Sequence, residues 1–358
     1  MRILTLGAAG FIGSHLTHRL LNEGHSVIAV DISSEKVEEF IGHPKLTFIQ
    51  QDIRDKDWKL APLVADSDLV IDLIAYANPG LYIRMPLEVF RLNFTENLKI
   101  AESCVRHKRR LIQFSTCEVY GRTVASIPNI GLANPDDPAH ATFSEDHSEL
   151  ILGPVSKHRW IYASAKQLLE RVLHAYGLEE GFNYTIVRPF NFIGPKIDFL
   201  PEGDEGIPRV FSFFMEALLS GGQMKLVDGG TRRRCYTYID DAIDCTYRIV
   251  ENPGGVCDRQ ILNVGSPYNE VSIRQMAETM REIYEEKFRA PGDKRAEIVS
   301  VPGEVFYGEG YDDSDRRIPD MTKVRALLGW EPKWLFREML EETMRFYVES
   351  ARKAEACA

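Results

Sequence analysis

The chain has 358 residues, of which 44% are hydrophobic and 27% charged, a globular composition that excludes a mostly disordered protein. Its 53 acidic and 43 basic residues give a formal net charge of −10, which argues against broad nucleic-acid binding. No apolar run reaches the roughly 18–20 residues of a membrane span. The six cysteines form no CxxC pair, so neither a metal site nor a disulfide framework is expected, and reduced thiols in a cytoplasmic enzyme are.

Short apolar runs at 2–6, 26–30, 46–50, 69–73 and 110–115 read as strands, each closing in a polar or glycine turn. Between them, 11–23, 35–42 and 87–107 have helical length. This alternation predicts an α/β fold, a doubly wound parallel sheet of Rossmann type. Segment 122–158 is rich in Pro, Asp, Asn and Ser and reads as an irregular insertion. A helix over 160–177 and a strand over 184–188 resume the pattern. Beyond residue 195, the expectation is a loop at 201–206, helices at 208–219, 240–251 and 272–286, and a strand at 225–227. A structured loop at 302–319 and a closing amphipathic helix at 335–353 follow. The plan is a cofactor domain, 1–190, and a smaller, partly interleaved C-terminal substrate domain, 191–358, with 235–265 returning to the first.

Gly7-Ala8-Ala9-Gly10-Phe11-Ile12-Gly13 joins the first strand to the first helix. Such a turn lets backbone N–H groups approach a pyrophosphate at the helix N-terminus. Any tight strand–helix turn can use glycines, so position carries the argument. Asp31 ends the second strand, 18 residues past Gly13. An acid there accepts from ribose hydroxyls and repels a 2′-phosphate, which favours NAD over NADP. Asp52 and Ile53 end the third strand, either beside the adenine or as a strand-end cap.

Tyr162 and Lys166 are four apart and share a helix face. A nearby ammonium is expected to lower the phenol pKa, so that a phenolate takes a hydroxyl proton while hydride leaves to the cofactor. Ser115-Thr116 ends a strand, where a hydroxyl can position the same oxygen. Lys225, Arg232, Arg233 and Arg234 form a local cationic cluster in an acidic chain, either an anion clamp or a solvated loop.

With these motifs the chain resembles the extended short-chain dehydrogenase/reductase family. The resemblance continues in Ser115-Thr116-Cys117-Glu118-Val119-Tyr120-Gly121, Arg188-Pro189-Phe190-Asn191, Lys225-Leu226-Val227-Asp228-Gly229-Gly230, Leu262-Asn263-Val264-Gly265 and Gly329-Trp330-Glu331-Pro332. Lys157-His158-Arg159-Trp160-Ile161-Tyr162 and the stretch from Tyr307 to Pro319 look like the UDP-glucuronic acid decarboxylase group. That group includes plant UDP-apiose/UDP-xylose synthase and the decarboxylase domain of the lipid A aminoarabinose pathway enzyme. The segment from Asp198 to Val210, with Arg209, is similar to the plant enzyme in particular.

The resemblance implies roles residue by residue. Tyr162 and Lys166 are the oxidation pair. Thr116, Cys117 and Glu118 touch the sugar, with Glu118 as acid/base. Leu73 and Ala75 face the cofactor. Ala77 and Tyr82 line the sugar pocket, and Arg159, Asn191 and Arg209 contact substrate. Lys225 through Arg234, Asp228 included, clamps the uridine diphosphate. Tyr311 contacts substrate, and Arg317 is the proton donor. Arg317 among Asp312, Asp313 and Asp315 also fits an ordinary surface ion pair. The implied partners are a UDP-sugar and a second copy of the chain, paired through helices 87–107 and 160–177. The plant enzyme resembles this chain in a thiol at Cys117 but has a second cysteine where Ala77 stands. The aminoarabinose enzyme has serine for Cys117 and alanine for Ala77. Three activities stay open: decarboxylation to UDP-4-keto-pentose or UDP-xylose, apiose formation, and epimerase or dehydratase chemistry on another nucleotide sugar. A catalytically silent NAD-binding regulator is the rival from another class.

Overall fold

The computed structural model describes residues 1–123, 134, 136–198, 209–307 and 312–357. Seven parallel strands form the central sheet: β1 (Arg2–Leu6), β2 (Ser26–Asp31), β3 (Leu46–Gln50), β4 (Leu69–Asp72), β5 (Arg110–Phe114), β6 (Tyr184–Pro189) and β7 (Gln260–Val264). Their order is β3-β2-β1-β4-β5-β6-β7. Most residues of β1, β4, β5 and β6 are buried, as a parallel sheet covered on both faces requires. The chain turns to opposite sides after β1 and β4, which pair in register from Ile3–Leu69 to Leu6–Asp72. That divergence opens a crevice at the carboxyl ends of the strands.

Helix Phe11–Asn22 buries Phe11, Leu16, Leu20 and Leu21, an i, i+4 stripe, against the sheet. Gly7 has φ +78°, and a Cβ there would lie 3.1 Å from the Leu73 carbonyl carbon, so the β1 and β4 loops touch only because this residue is glycine. A helix was expected over 87–107; the structure has Pro86–Phe90, a wide turn at Arg91–Glu96, and Asn97–His107. Asn93 Nδ2 donates to the Val89 carbonyl at 2.8 Å, taking the acceptor of the regular ladder and widening the turn. The 35–42 segment is only a short tight helix, Glu35–Phe40, because Val37 alone anchors it. Helices Leu60–Ala65, Pro79–Arg84 and Thr322–Leu328 carry too few apolar positions for periodicity to mark them.

The C-terminal half is woven back. β7 extends the sheet beside β6, and helix Ile239–Glu251 packs on Phe11–Asn22, with Arg19 over the Tyr247 ring at 4.7 Å. Strands Gln223–Val227 and Glu297–Val301 pair in parallel, and Arg233–Cys235 pairs antiparallel with Glu270–Ser272. Helix Phe336–Cys357 closes the chain, burying Met339, Leu340 and Met344. Segment 302–319, expected as a loop, holds helix Gly303–Tyr307 and strand Ile318–Pro319; the latter pairs with Thr142–Phe143 of the insertion. The loop expected at 201–206 and Tyr311 lie outside the described residues. Among the described residues no helix is long and apolar enough to cross a membrane, and no cluster of His, Cys, Asp and Glu could hold a metal.

The glycine turn gives a direct test. A Cβ on Gly13 would fall 2.1 Å from the Gly7 carbonyl oxygen and 2.8 Å from Ala8 backbone. Gly13→Ala is expected to destabilise the protein by about 1–3 kcal/mol, the scale of overpacking, and to weaken retention of NAD. Thermal unfolding and cofactor content after gel filtration check both.

Candidate active site

One cavity of ≈ 590 Å³ runs along the crevice from the glycine turn to Lys225. Its cofactor end is lined by Gly7, Gly10, Phe11, Ile12 and Gly13, with Leu73 and Ala75 across the gap. No side chain caps the helix at Gly10, so first-turn N–H groups remain available beside the cavity, which fits a pyrophosphate. Asp31 locks the turn: Oδ2 accepts from the Ala9 N–H at 2.8 Å, and Oδ1 accepts from Ile32 at 2.7 Å. Asp52 and Ile53 do not line the cavity. Asp52 caps the turn at Arg54 and pairs with its guanidinium at 2.6 Å, while Ile53 is buried in the sheet's apolar cluster. Lys36, which no motif marks, does line the cavity; burial lowers it to about 8 against the pull of Asp198.

The middle of the cavity holds Thr116, Cys117, Glu118 and Tyr162, with Ala77 and Tyr82 facing them. The end of β5 positions the first three. Thr116 Oγ1 accepts from the Glu118 N–H at 3.1 Å, opening the tight turn Cys117–Tyr120. Of the two hydroxyls at that strand end, Ser115's donates to Glu170, which Arg188 also grips at 2.6 Å, and Thr116's is left facing the cavity. Tyr162 stacks on Tyr82 with ring centroids 4.8 Å apart and planes 13° from parallel. Lys166 lies one turn on, buried, and donates to the Phe114 carbonyl at 3.1 Å.

The expected lowering of the Tyr162 pKa does not occur in the chain by itself. Burial and the Glu118 charge push the phenol well above its usual value, and a hydrogen bond with Thr116 offsets them only in part. Burial also lowers Lys166 to about 8, against Asp72 and Glu170. The shared helix face is present, but its low-polarity surroundings penalise both charges.

At the sugar end, Asp313 gathers three guanidiniums: Arg234 at 2.6 Å, Arg317 at 3.1 Å and Arg159 at 3.4 Å. Burial alone would raise this carboxyl, but the arginines, Arg234 foremost, hold it well below the carboxylate range. Arg159 also makes two bonds to Glu118, at 2.5 and 2.8 Å, and overrides burial to keep Glu118 ionised. Arg159 does not itself line the cavity, contrary to its expected role as a substrate contact; its fork is spent on Glu118 and Asp313 behind the wall. Arg317 is buried at 3% exposure rather than a surface ion pair, and its Nη1 sits 3.8 Å from Cys117 Sγ. Burial raises the Cys117 thiol despite that arginine.

The far end is aromatic and cationic. Lys225, Arg232 and Arg234 line it with Phe213, Tyr236 and Phe306, whereas exposed Arg233 does not. Asn191 lines the cavity in a left-handed conformation, φ +42°, and donates to the Cys235 carbonyl at 3.0 Å. Arg209 pairs with Asp198 at 2.9 Å and lies over the Phe11 ring at 5.5 Å. Asp228, expected in the clamp, stays out of the cavity and accepts from the Gly303 N–H at 2.8 Å. Asp313 is the main residue that sequence reasoning missed. It stood in an acidic run, and a run does not say which carboxylate turns inward.

Residues 3–265 match the NAD dependent epimerase/dehydratase family. The chain is 43% identical to UDP-D-apiose/UDP-D-xylose synthase 1 of Arabidopsis thaliana over 99% of its own length and 94% of the relative's. Among solved structures, it is similar to the PbgP3 protein from Burkholderia pseudomallei, with TM-score 0.84 and 35% identity over 99% and 98% of the two chains. It is also similar to a UDP-glucose 4-epimerase from Thermotoga maritima, solved with UDP-glucose, with TM-score 0.76 and 26% identity over 98% and 100%. With residues 3–265 matching that family, the chain belongs to the NAD dependent epimerase/dehydratase family, and its cofactor is NAD.

Proposed function

We propose that this chain catalyses the NAD-dependent oxidative decarboxylation of UDP-glucuronic acid to UDP-4-keto-pentose, if NADH is exchanged, and/or to UDP-xylose, if the hydride returns. The observation that carries this reading is the charge at the sugar end. Arg159, Arg234 and Arg317 stand against Glu118 and Asp313, so the five groups together hold one positive charge beside Tyr162. A uronate carboxylate complements it; a neutral hexose does not. Similarity to the UDP-apiose/UDP-xylose synthase supports the same substrate class. In this reading residues 1–190 hold the cofactor, and residues 191–358 mainly hold the nucleotide.

The glycine turn, with Leu73 and Ala75 across the gap, would hold NAD, which when bound would supply a reversible hydride acceptor and a positive charge. Tyr162 takes the hydroxyl proton, Thr116 orients that oxygen, and Lys166 supplies positive charge behind the pair. The 4-ketone lies β to the carboxylate, so carbon dioxide leaves and its electron pair spreads into an enolate. Carbon 5 then takes a proton. Glu118 is held ionised and so accepts protons released nearby, while Arg317, on the cavity wall beside Cys117, is the donor that the resemblance implies. The intact Tyr162–Lys166 pair disfavours a silent regulator. Buried free thiols at Cys104, Cys117, Cys235, Cys245 and Cys257 support a reducing compartment, the cytoplasm. Exposed Leu87, Leu168 and Leu178 lie along the helices expected to pair, which supports a homodimer.

Tyr162→Phe is expected to keep bound NAD but lose about 100-fold or more in turnover, the scale of general-base catalysis; steady-state kinetics with UDP-glucuronic acid measure it, and near-normal activity would remove the assigned role. Ring contraction to an apiosyl product needs an extra base on a ring hydroxyl. Ala77 cannot serve, and the buried Cys117 thiol is held neutral. UDP-4-keto-pentose or UDP-xylose should therefore dominate the product pool by NMR, and a branched furanose as the main species would refute the Ala77 argument. Light scattering should give twice the 40.7 kDa chain mass; a single-chain mass would count against the dimer.

A further inference from the structure

Arg122 and the stretch 151–153, described parts of the 122–158 insertion, take no part in the chemistry above, yet they meet the Asp313 end of the cavity from behind. They run side by side. The Arg122 N–H donates to the Ile151 carbonyl at 2.7 Å, and the Ile151 N–H to that of Tyr120 at 3.1 Å. Gly121 between them has φ +69°, and a Cβ there would fall 1.9 Å from the Ile151 oxygen.

At this root sits Asp312, a carboxylate with no place in the cavity wall. Its Oδ2 accepts from the Trp160 indole N–H at 3.0 Å and from the Arg122 guanidinium. Its Oδ1 accepts from the backbone N–H of Asp313 at 3.0 Å. A Cβ on Gly153 would lie 2.4 Å from Trp160 Nε1 and 2.8 Å from Asp312 Oδ2, so the insertion closes tightly over this contact. Two neighbouring pairs are therefore fastened side by side: Trp160 to Asp312, and Arg159 to Asp313.

We propose that Asp312 is a positioning residue for the sugar site. By binding the Asp313 amide with one oxygen and the Trp160 and Arg122 donors with the other, it sets where Asp313 stands, and through Asp313 where Arg317 meets Cys117. This rests on the reading that a sugar acid occupies that end of the cavity. The insertion then acts as a buttress that orients an ion cluster it does not touch with substrate. Displacement of such a cluster by about 1 Å is enough to cost tenfold or more.

The test uses Asp312→Asn and Trp160→Phe in the full chain, with UDP-glucuronic acid, UDP and iodoacetamide as probes. Asp312→Asn keeps the size but loses the charge; Trp160→Phe removes the indole donor and keeps an aromatic ring. Each is expected to weaken UDP-glucuronic acid at least about tenfold in KM while the inhibition constant of UDP moves less than about twofold. Alkylation of Cys117, mapped by mass, should slow severalfold as the Arg317 cation that favours its thiolate loosens, a readout that needs no substrate. If UDP-glucuronic acid and UDP weaken together, or if neither they nor the alkylation rate change, Asp312 does not position the sugar site. If the unaltered protein does not turn over UDP-glucuronic acid, the substrate assignment fails, and the Cys117 rate still decides the role of Asp312.

Discussion

Asp313 and its three arginines are the constraint on which the site depends. Moving a carboxylate and three guanidiniums out of water costs several kcal/mol per ion, and only close mutual pairing offsets it. Arg159 precedes helix Ile161–Glu179, Arg234 belongs to strand Arg233–Cys235, and Arg317 follows Asp313 in the segment that pairs with the insertion. The cluster therefore closes only when three separated stretches arrive together. Glu118 joins it through Arg159, so the turn after β5 is held by the same network. Loss of one partner would leave the others buried and unmatched.

The sheet supplies the second requirement, a fixed distance between the two ends of the cavity. Gly7 lets the β1 and β4 loops touch, Asp31 ties the glycine turn to the end of β2, and Thr116 and Tyr162 face the opening between them. The two ends of the cavity are built differently. One offers uncapped backbone N–H groups, the other cationic side chains. A protein of net charge −10 thus presents anion-binding groups at both ends of one crevice, because local placement rather than total charge decides what a pocket attracts.

Tyr162 and Lys166, the pair proposed to carry the oxidation, are both penalised by their surroundings. Tyr162 is held protonated by burial and by the Glu118 charge, and Lys166 is pushed down to about 8. A phenolate next to Glu118 is unfavourable until another positive charge arrives. NAD, when bound, would supply a positive charge, which would link proton removal to cofactor occupancy through electrostatics.

The sequence by itself determined the seams of the fold and the ends of the site. Strand alternation, the glycine turn and the acid 18 residues beyond it are local patterns, and backbone sterics or period-two burial leave them few alternatives. Motif resemblance added Tyr162, Thr116 and Glu118, which line one cavity. Only the tertiary structure decided which charges are shared. Asp313 and Asp312 are neighbours in one acidic run, yet one turns into the cavity beside three arginines and the other into the root of the insertion. Arg159 turned out to serve Glu118, the Ser115 hydroxyl to serve Glu170, and Asp52 to cap its own turn. Sequence spacing does not encode such pairings. A buried charge takes whichever partner the packing of distant segments brings within about 3 Å, and that is settled only when the whole chain has closed.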